Sequence, residues 1–187
     1  GPRRNMSVRE GKADILAVID GDAFPESDWL EHVLEPFSDP SVGVVSSRVL
    51  FGVDPSLANG QGCTVSLYGF GLDRFVFQPA ANLPDTTEEV LYAMGCGMAM
   101  RRCAWEAIDG FDEDIVYGYE DVDFSLRVWI LGARVVTAPL AVVMHETISF
   151  DPPTRDRIFL YMRNRWLFLI KHWPITWIVR AAICQVG

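Results

Sequence analysis

The chain has 187 residues, 50% hydrophobic and 22% charged, a composition that builds one compact domain, leaves little room for a second and is too apolar for a disordered segment. Its 16 lysines and arginines face 25 acids for a net charge of −9, which argues against nucleic-acid binding and means that an anionic ligand needs a local cationic pocket or a divalent metal. The four cysteines, Cys63, Cys96, Cys103 and Cys184, form no CxxC pair and no zinc-finger spacing, and read as reduced thiols of a cytoplasmic protein.

Residues 1–12 are polar and basic, with no apolar signal core. The run 13–19 (ADILAVI) is continuously apolar and breaks at Asp20-Gly21-Asp22, the way a buried parallel strand ends at the carboxyl edge of a sheet, where ligands bind in open α/β folds. Trp29, Leu30, Val33, Leu34 and Phe37 are spaced as a helix capped by Ser27 or Asp28. Residues 42–50 read as the next strand. The segment 54–89 is interrupted by Gly, Pro, Asn and Asp and reads as a long irregular or partly helical excursion. Then follow a strand over 90–100, a short helix over 103–108 and a turn at Asp109-Gly110. A better helix spans 120–131, with Gly132 at its C-terminal stop. Residues 135–136 and 142–143 are short strands, and 155–171 and 175–184 are helices parted by Pro174.

Asp20 and Asp22, one residue apart at a strand end, can share a hard divalent cation that takes up phosphate oxygens, or can simply make a turn. Glu120 and Asp121 open a helix, where the dipole favours ionised carboxylates. Asp123 and Arg127, four apart, form a supporting ion pair. His145 closes the apolar run 141–144 and is either a satisfied structural histidine or a ligand. Gly95, Cys96 and Gly97 let backbone approach a substrate, or are small residues packed against a neighbour. Trp105, with nearby aromatics, either stacks on a sugar or packs in the core.

These residues resemble family 2 glycosyltransferases of the GT-A fold. The resemblance is carried by GPRRN (1–5), GKADILAVIDGDAFPESDWLE (11–31), GCGMAMRRCAWEAIDGFDED (95–114), YEDVDFSLRVWILGARVVTAPLAVVMH (119–145) and RNRW (163–166). It implies an α/β mixed sheet with flanking helices: a catalytic core over 1–153 and a helical segment over 154–187, packed on the core or a membrane surface. It further implies Mn²⁺ or Mg²⁺ held by Asp20, Asp22 and His145, with Asp20, Asp22 and Arg165 serving the nucleotide-sugar donor. Asp121 is then the base that deprotonates an acceptor hydroxyl in an inverting displacement, with Gly95, Cys96, Gly97, Glu120 and Trp105 on the side of a glycan or lipid-linked acceptor.

The sequence departs from the family pattern in three places. Gly21 stands where a third aspartate is frequent. Met162 stands where processive synthases carry Gln, which argues against a polymerase. The chain also opens just before the DxD strand, whereas the family begins with further strands that bind the nucleotide base. The resemblance therefore implies an incomplete sheet, completed by self-association or a partner chain. Two other readings are a non-catalytic glycosyltransferase-like binding module and a DxD phosphatase with Asp20 as nucleophile. The GFDE and EDxDxxxR segments have no place in the phosphatase.

Overall fold

The computed structural model of the protein describes residues 1–146 and 154–186. The chain opens with helix α1 (Pro2–Glu10), followed by β1 (Ile15–Ile19), β2 (Ala23–Pro25) and α2 (Trp29–Leu34), which tightens into a 3₁₀ turn over Glu35–Ser38. Strands β3 (Val42–Phe51), β4 (Asp54–Gln61), β5 (Cys63–Val65) and β6 (Gly71–Asp73) come next. After them are β7 (Gly97–Arg101), α3 (Arg102–Ala107), α4 (Glu120–Ile130), β8 (Arg134–His145), α5 (Arg155–His172) and α6 (Ile175–Val186). The sheet runs β1-β7-β3-β8-β2, with β4 also paired to β3, while β5 and β6 form a separate hairpin. Strands β3 and β8 are parallel, and β7 is antiparallel to both β1 and β3.

Period-two alternation puts Leu16, Val18, Val44, Met98, Met100 and Val135 into one core cluster under α3 and α4 (Ala104, Trp105, Phe124, Val128). Val45, Ala99, Val136 and Val143 join the other cluster under α2 (Trp29, Val33). Helix α5 adds Phe168 to this second cluster. The result is helix layers on both faces of a mixed sheet.

Several expectations are corrected. Residues 54–89 contain three strands rather than an irregular or helical excursion. Their apolar pattern is weak because β4 follows β3 through two register irregularities and needs small residues there: a Cβ on Gly60 would lie 2.8 Å from the Met94 sulfur. Of the strand expected over 90–100, only Gly97–Arg101 is strand, since Tyr92 turns away to bridge Cys63. The two short strands near 135 and 142 are one, bent by a register shift opposite Ser47 and Arg48. Strand β1, read as a buried parallel strand, is antiparallel to β7 and pairs among the described residues with β7 alone, at the edge of the sheet.

Helix α1 has no counterpart in the sequence reading because its side chains show no apolar stripe. It is fixed by a tertiary contact. Asn5 is fully buried, donates from Nδ2 to the Phe111 carbonyl (2.8 Å) and the Glu113 carboxylate (3.1 Å), and accepts from the Phe111 N–H at 2.9 Å. Gly110, at φ 72°, makes room for it, since a Cβ there would lie 2.6 Å from the Asn5 side-chain oxygen Oδ1. Asn5→Ala leaves both polar groups of Phe111 unpaired, so urea unfolding should show a loss of roughly 2 to 4 kcal/mol.

Candidate active site

A cleft of about 390 Å³ opens where β1 and β8 end and α4 begins. Its lining includes Arg4, Asp20, Asn59, Asp73, Glu120, Asp121 and His145. The DxD segment reaches it through backbone geometry. A turn bond from Ala23 N–H to the Asp20 carbonyl (3.1 Å) reverses the chain into β2, whose Ala23 registers against His145. The Glu146 N–H donates to the Asp22 carbonyl at 2.8 Å. This places Asp22 Oδ1 3.4 Å from His145 Nε2.

The other imidazole nitrogen, Nδ1, lies 3.0 Å from Asn59 Oδ1. A proton on Nδ1 would be donated to that amide oxygen and would leave the Nε2 lone pair free for a cation lying between it and Asp22. A carboxylate and an imidazole so disposed fit a hard or borderline divalent cation, with further positions open for diphosphate oxygens or water. Among the described residues no group of three His, Cys, Asp or Glu side chains closes on one point. Asp20, expected to be a third ligand, is instead held by Arg4 (Nη2 to Oδ1, 2.7 Å).

Arg4 joins three elements of the site. Besides Asp20 it donates to Glu120 Oε1 (3.0 Å) and to the Gly95 carbonyl (3.0 Å). Burial works against its charge, but Glu120 and Asp20 outweigh that and hold its pKa above the ordinary value. The Gly95 peptide is shared, because its N–H donates to Asp121 Oδ2 at 3.0 Å. A Cβ on Gly95 would lie 3.0 Å from that oxygen and 3.1 Å from Arg4 Nη1, so a glycine is needed for the carboxylate and guanidinium to close on one backbone unit. Gly95→Ala should displace both, which a crystal structure of the variant would show, while the melting temperature changes little.

Asp121 is half-buried at the start of α4. Gly118 (φ 66°) and Tyr119 (φ 73°) are both left-handed, a conformation that costs a tyrosine energy and turns the chain sharply into the helix. The strain is held by the Tyr119 hydroxyl, which donates to the Gly69 carbonyl at 2.8 Å. Burial first, and then the neighbouring Glu120 charge, push the Asp121 carboxyl up to about 7, against the pull of Arg4 and the Val122 and Gly95 N–H groups. Asp121 thus titrates near neutrality, as a general base requires. Among the described residues Glu120 Oε2 is buried and has no hydrogen-bond partner, an acceptor that a ligand hydroxyl could satisfy.

The remaining sequence candidates divide. Cys96 lines the cleft, and burial holds its thiol well above its ordinary pKa, so it stays protonated at neutral pH. Gly97 faces Val143 and Ser47, the small-residue alternative. Trp105 is buried in the core beneath Gly110 rather than lining the cleft. Arg165 does not line it either. Its side chain is fully buried, donates from Nε to the Tyr68 carbonyl (2.8 Å) and lies 4.0 Å over the Phe70 ring, where carbonyl and aromatic faces replace water around the cation. It supports the hairpin that brings Gly71 and Asp73 to the cleft. Asn59 and Asp73 have no sequence signal, because nothing in their local spacing points to the DxD or ED segments; Arg4 lies in the GPRRN segment that carries the resemblance, but that segment gives it no role.

Asn59→Ala removes the acceptor that faces His145 Nδ1; where that pairing keeps Nε2 free for a cation, Mn²⁺ affinity measured by calorimetry falls by roughly 10- to 100-fold with the fold intact.

The sequence matches the family described as "Glycosyltransferase like family 2" over residues 3–168. It is 32% identical over 144 residues to the pre-mycofactocin glycosyltransferase of Mycobacterium tuberculosis, a match that covers 76% of this chain and 29% of that protein. It is 26% identical over 153 residues to the O-antigen biosynthesis protein RfbC of Myxococcus xanthus, covering 78% of this chain and 12% of the relative. The chain therefore spans less than a third of the length of either. The fold is shared with GalNAc-T7, solved with UDP, GalNAc and Mn²⁺ (TM-score 0.69, 13% identity, 92% of this chain and 34% of that one). It is shared too with the mannosyltransferase PcManGT of Pyrobaculum calidifontis, solved with GDP-Man and Mn²⁺ (TM-score 0.57, 20% identity, 91% and 43%).

Proposed function

The chain belongs to glycosyltransferase family 2, and from that membership we propose that it transfers a sugar from a nucleotide-diphosphate donor to an acceptor hydroxyl, with inversion at the anomeric carbon. The observation that carries the reading is the meeting of Asp20, Glu120, Asp121 and His145 in one cleft, with Asp22 against His145. Both structural neighbours were solved with Mn²⁺ and a nucleotide or nucleotide sugar, which supports a metal-assisted diphosphate site here.

In this reading Asp22 and His145 hold Mn²⁺ or Mg²⁺, which when bound neutralises charge on the departing diphosphate. Asn59 keeps His145 in the ligating tautomer. Asp20, oriented by Arg4, lies on the donor side. Asp121 accepts the proton of the acceptor hydroxyl at a carboxylate oxygen as that hydroxyl attacks the anomeric carbon. Glu120 orients the acceptor through its unpartnered oxygen. Arg165, expected on the donor, acts at a distance by supporting the hairpin. The acceptor is a glycan or a lipid-linked glycan, the class to which O-antigen biosynthesis, named for one relative, points.

The test is a panel of UDP- and GDP-sugars incubated with the chain, Mn²⁺ and simple glycoside acceptors, followed by nuclear magnetic resonance of the product. Transfer that requires metal and inverts the anomeric configuration is the expected result. Retention of configuration would remove the role assigned to Asp121, and binding of donor without transfer would favour a non-catalytic glycosyltransferase-like module.

A further inference from the structure

We propose that Asn164 of α5 is a positioning residue for Asp121: its side-chain amide holds the turn over residues 117–119 in the shape that keeps the Asp121 carboxyl in the wall of the cleft. The use made of that carboxyl rests on the transferase reading above. The contact itself rests only on how α5 packs.

Tyr117 and Gly118 belong to no helix or strand, so no ladder takes up their carbonyls. Asn164 does. It is fully buried, and its Nδ2 donates to the Tyr117 carbonyl at 2.6 Å and to the Gly118 carbonyl at 3.1 Å. Its Oδ1 accepts from Arg163 Nη1 at 3.0 Å, and this partner settles which way round the amide lies. The two bonds fall where the backbone is strained, since Gly118 and Tyr119 are both left-handed and Glu120 and Asp121 follow directly. A tyrosine in that conformation persists only where its surroundings over-determine it.

The same face of α5 supplies the rest of the hold. The Tyr161 and Phe168 rings lie 4.9 and 5.8 Å from the Tyr119 ring, and His172 Nε2 lies 2.8 Å from Oδ1 of the fully buried Asp123. Residues 161, 164, 168 and 172 are three or four apart, which is one side of a helix. Filling space does not account for Asn164, because leucine has a similar volume and no polar atoms to satisfy. The asparagine instead gives both amide hydrogens to consecutive carbonyls of one turn. That turn fixes where α4 starts, and so whether Asp121 Oδ2 reaches the Gly95 N–H at 3.0 Å and Glu120 Oε1 reaches Arg4 Nη1 at 3.0 Å. The groups acting on Asp121 are Glu120, Arg4 and the Gly95 and Val122 N–H groups, with burial the largest influence and the one that raises its carboxyl most. A turn released from Asn164 lets water reach that carboxyl and lowers it again.

The experiment is a pH titration followed by carbon-13 magnetic resonance of the chain labelled in its aspartate carboxyls, with no metal or nucleotide sugar present. The Asp121 signal is the one lost in Asp121→Asn. In the wild type it should titrate near neutrality, and in Asn164→Leu its midpoint should drop by about one to two pH units. Asn164→Ala, which adds no bulk, should show the same drop and serves where the leucine variant does not fold. Val33→Ala opens a cavity at another fully buried site, on α2. It should lower the melting temperature too but leave the Asp121 midpoint in place, which separates positioning from stability. With donor and acceptor added, kcat of Asn164→Leu should fall by about 10- to 100-fold while the donor KM is unchanged. A folded Asn164 variant whose Asp121 midpoint equals that of the wild type, or a midpoint that moves as far in Val33→Ala, overturns the proposal. A wild type that transfers no sugar but shows the drop in Asn164→Leu removes the transferase reading and leaves Asn164 as the group that holds Asp121.

Discussion

Asp121→Asn is expected to lower transfer by about 10²- to 10⁴-fold while donor affinity changes little, because the amide keeps the size of the carboxylate but cannot take a proton. The geometry supports a separation of the two effects. Asp121 is tied to Gly95 and to its own helix start, whereas the carboxylate and imidazole suited to a cation lie on the DxD turn and the end of β8. Single-turnover rates alongside donor titration measure this, and an equal loss of donor binding would give Asp121 a metal or structural duty. The pH profile supplies a second readout. With the carboxyl pushed up to about 7, the rate should climb with pH through neutrality and level off once Asp121 is ionised. Stability moves the other way. A carboxyl raised by burial favours the fold fully below its ordinary value near 3.8, and that contribution is lost as pH rises through about 7. Across that window the melting temperature of Asp121→Asn should fall less steeply than that of the wild type.

Asp22→Ala and His145→Ala should each reduce Mn²⁺ affinity by more than about a hundredfold, beyond what loss of a supporting group alone produces. Transfer should fall by roughly 10²- to 10³-fold with it, since charge on the departing diphosphate loses its counter-ion. Asp22 is the cleaner of the two variants. Its carboxylate is mostly exposed and its structural bond to Glu146 runs through the backbone carbonyl, so alanine removes the ligand and leaves the turn in place. Calorimetry with Mn²⁺ in the absence of donor reads the effect directly. Unchanged binding in Asp22→Ala would move the cation to Asp20 or remove it from the site.

Much of this was legible in the linear sequence, for a physical reason. Buried strands are apolar runs and end abruptly in polar residues, so the ILAVI and AVVM runs located Asp20, Asp22 and His145 at strand ends. Helix α4, with its 3.6-residue stripe and Gly132 stop, located Glu120 and Asp121 at a helix start. Each of these signals lies within a few residues of the group it marks. What only the tertiary structure decided is long-range. Arg4 lies 116 residues from Glu120 and Asn59 lies 86 from His145, and no local periodicity records such pairs. Trp105 and Arg165 carry the residue types of a sugar platform and a phosphate ligand, yet burial beneath Gly110 and behind the Tyr68–Phe70 turn gives them packing and support instead. The strands of residues 54–73 were hidden for a related reason. Their pairing is bulged and their small residues are chosen by what they approach, Met94 against Gly60 and Leu169 against Gly69. The sequence by itself thus determined the fold class and which polar residues end strands and open helices, because burial and helix capping are written residue by residue. The tertiary structure alone decided which groups meet, because a contact between distant elements depends on the whole packed sheet.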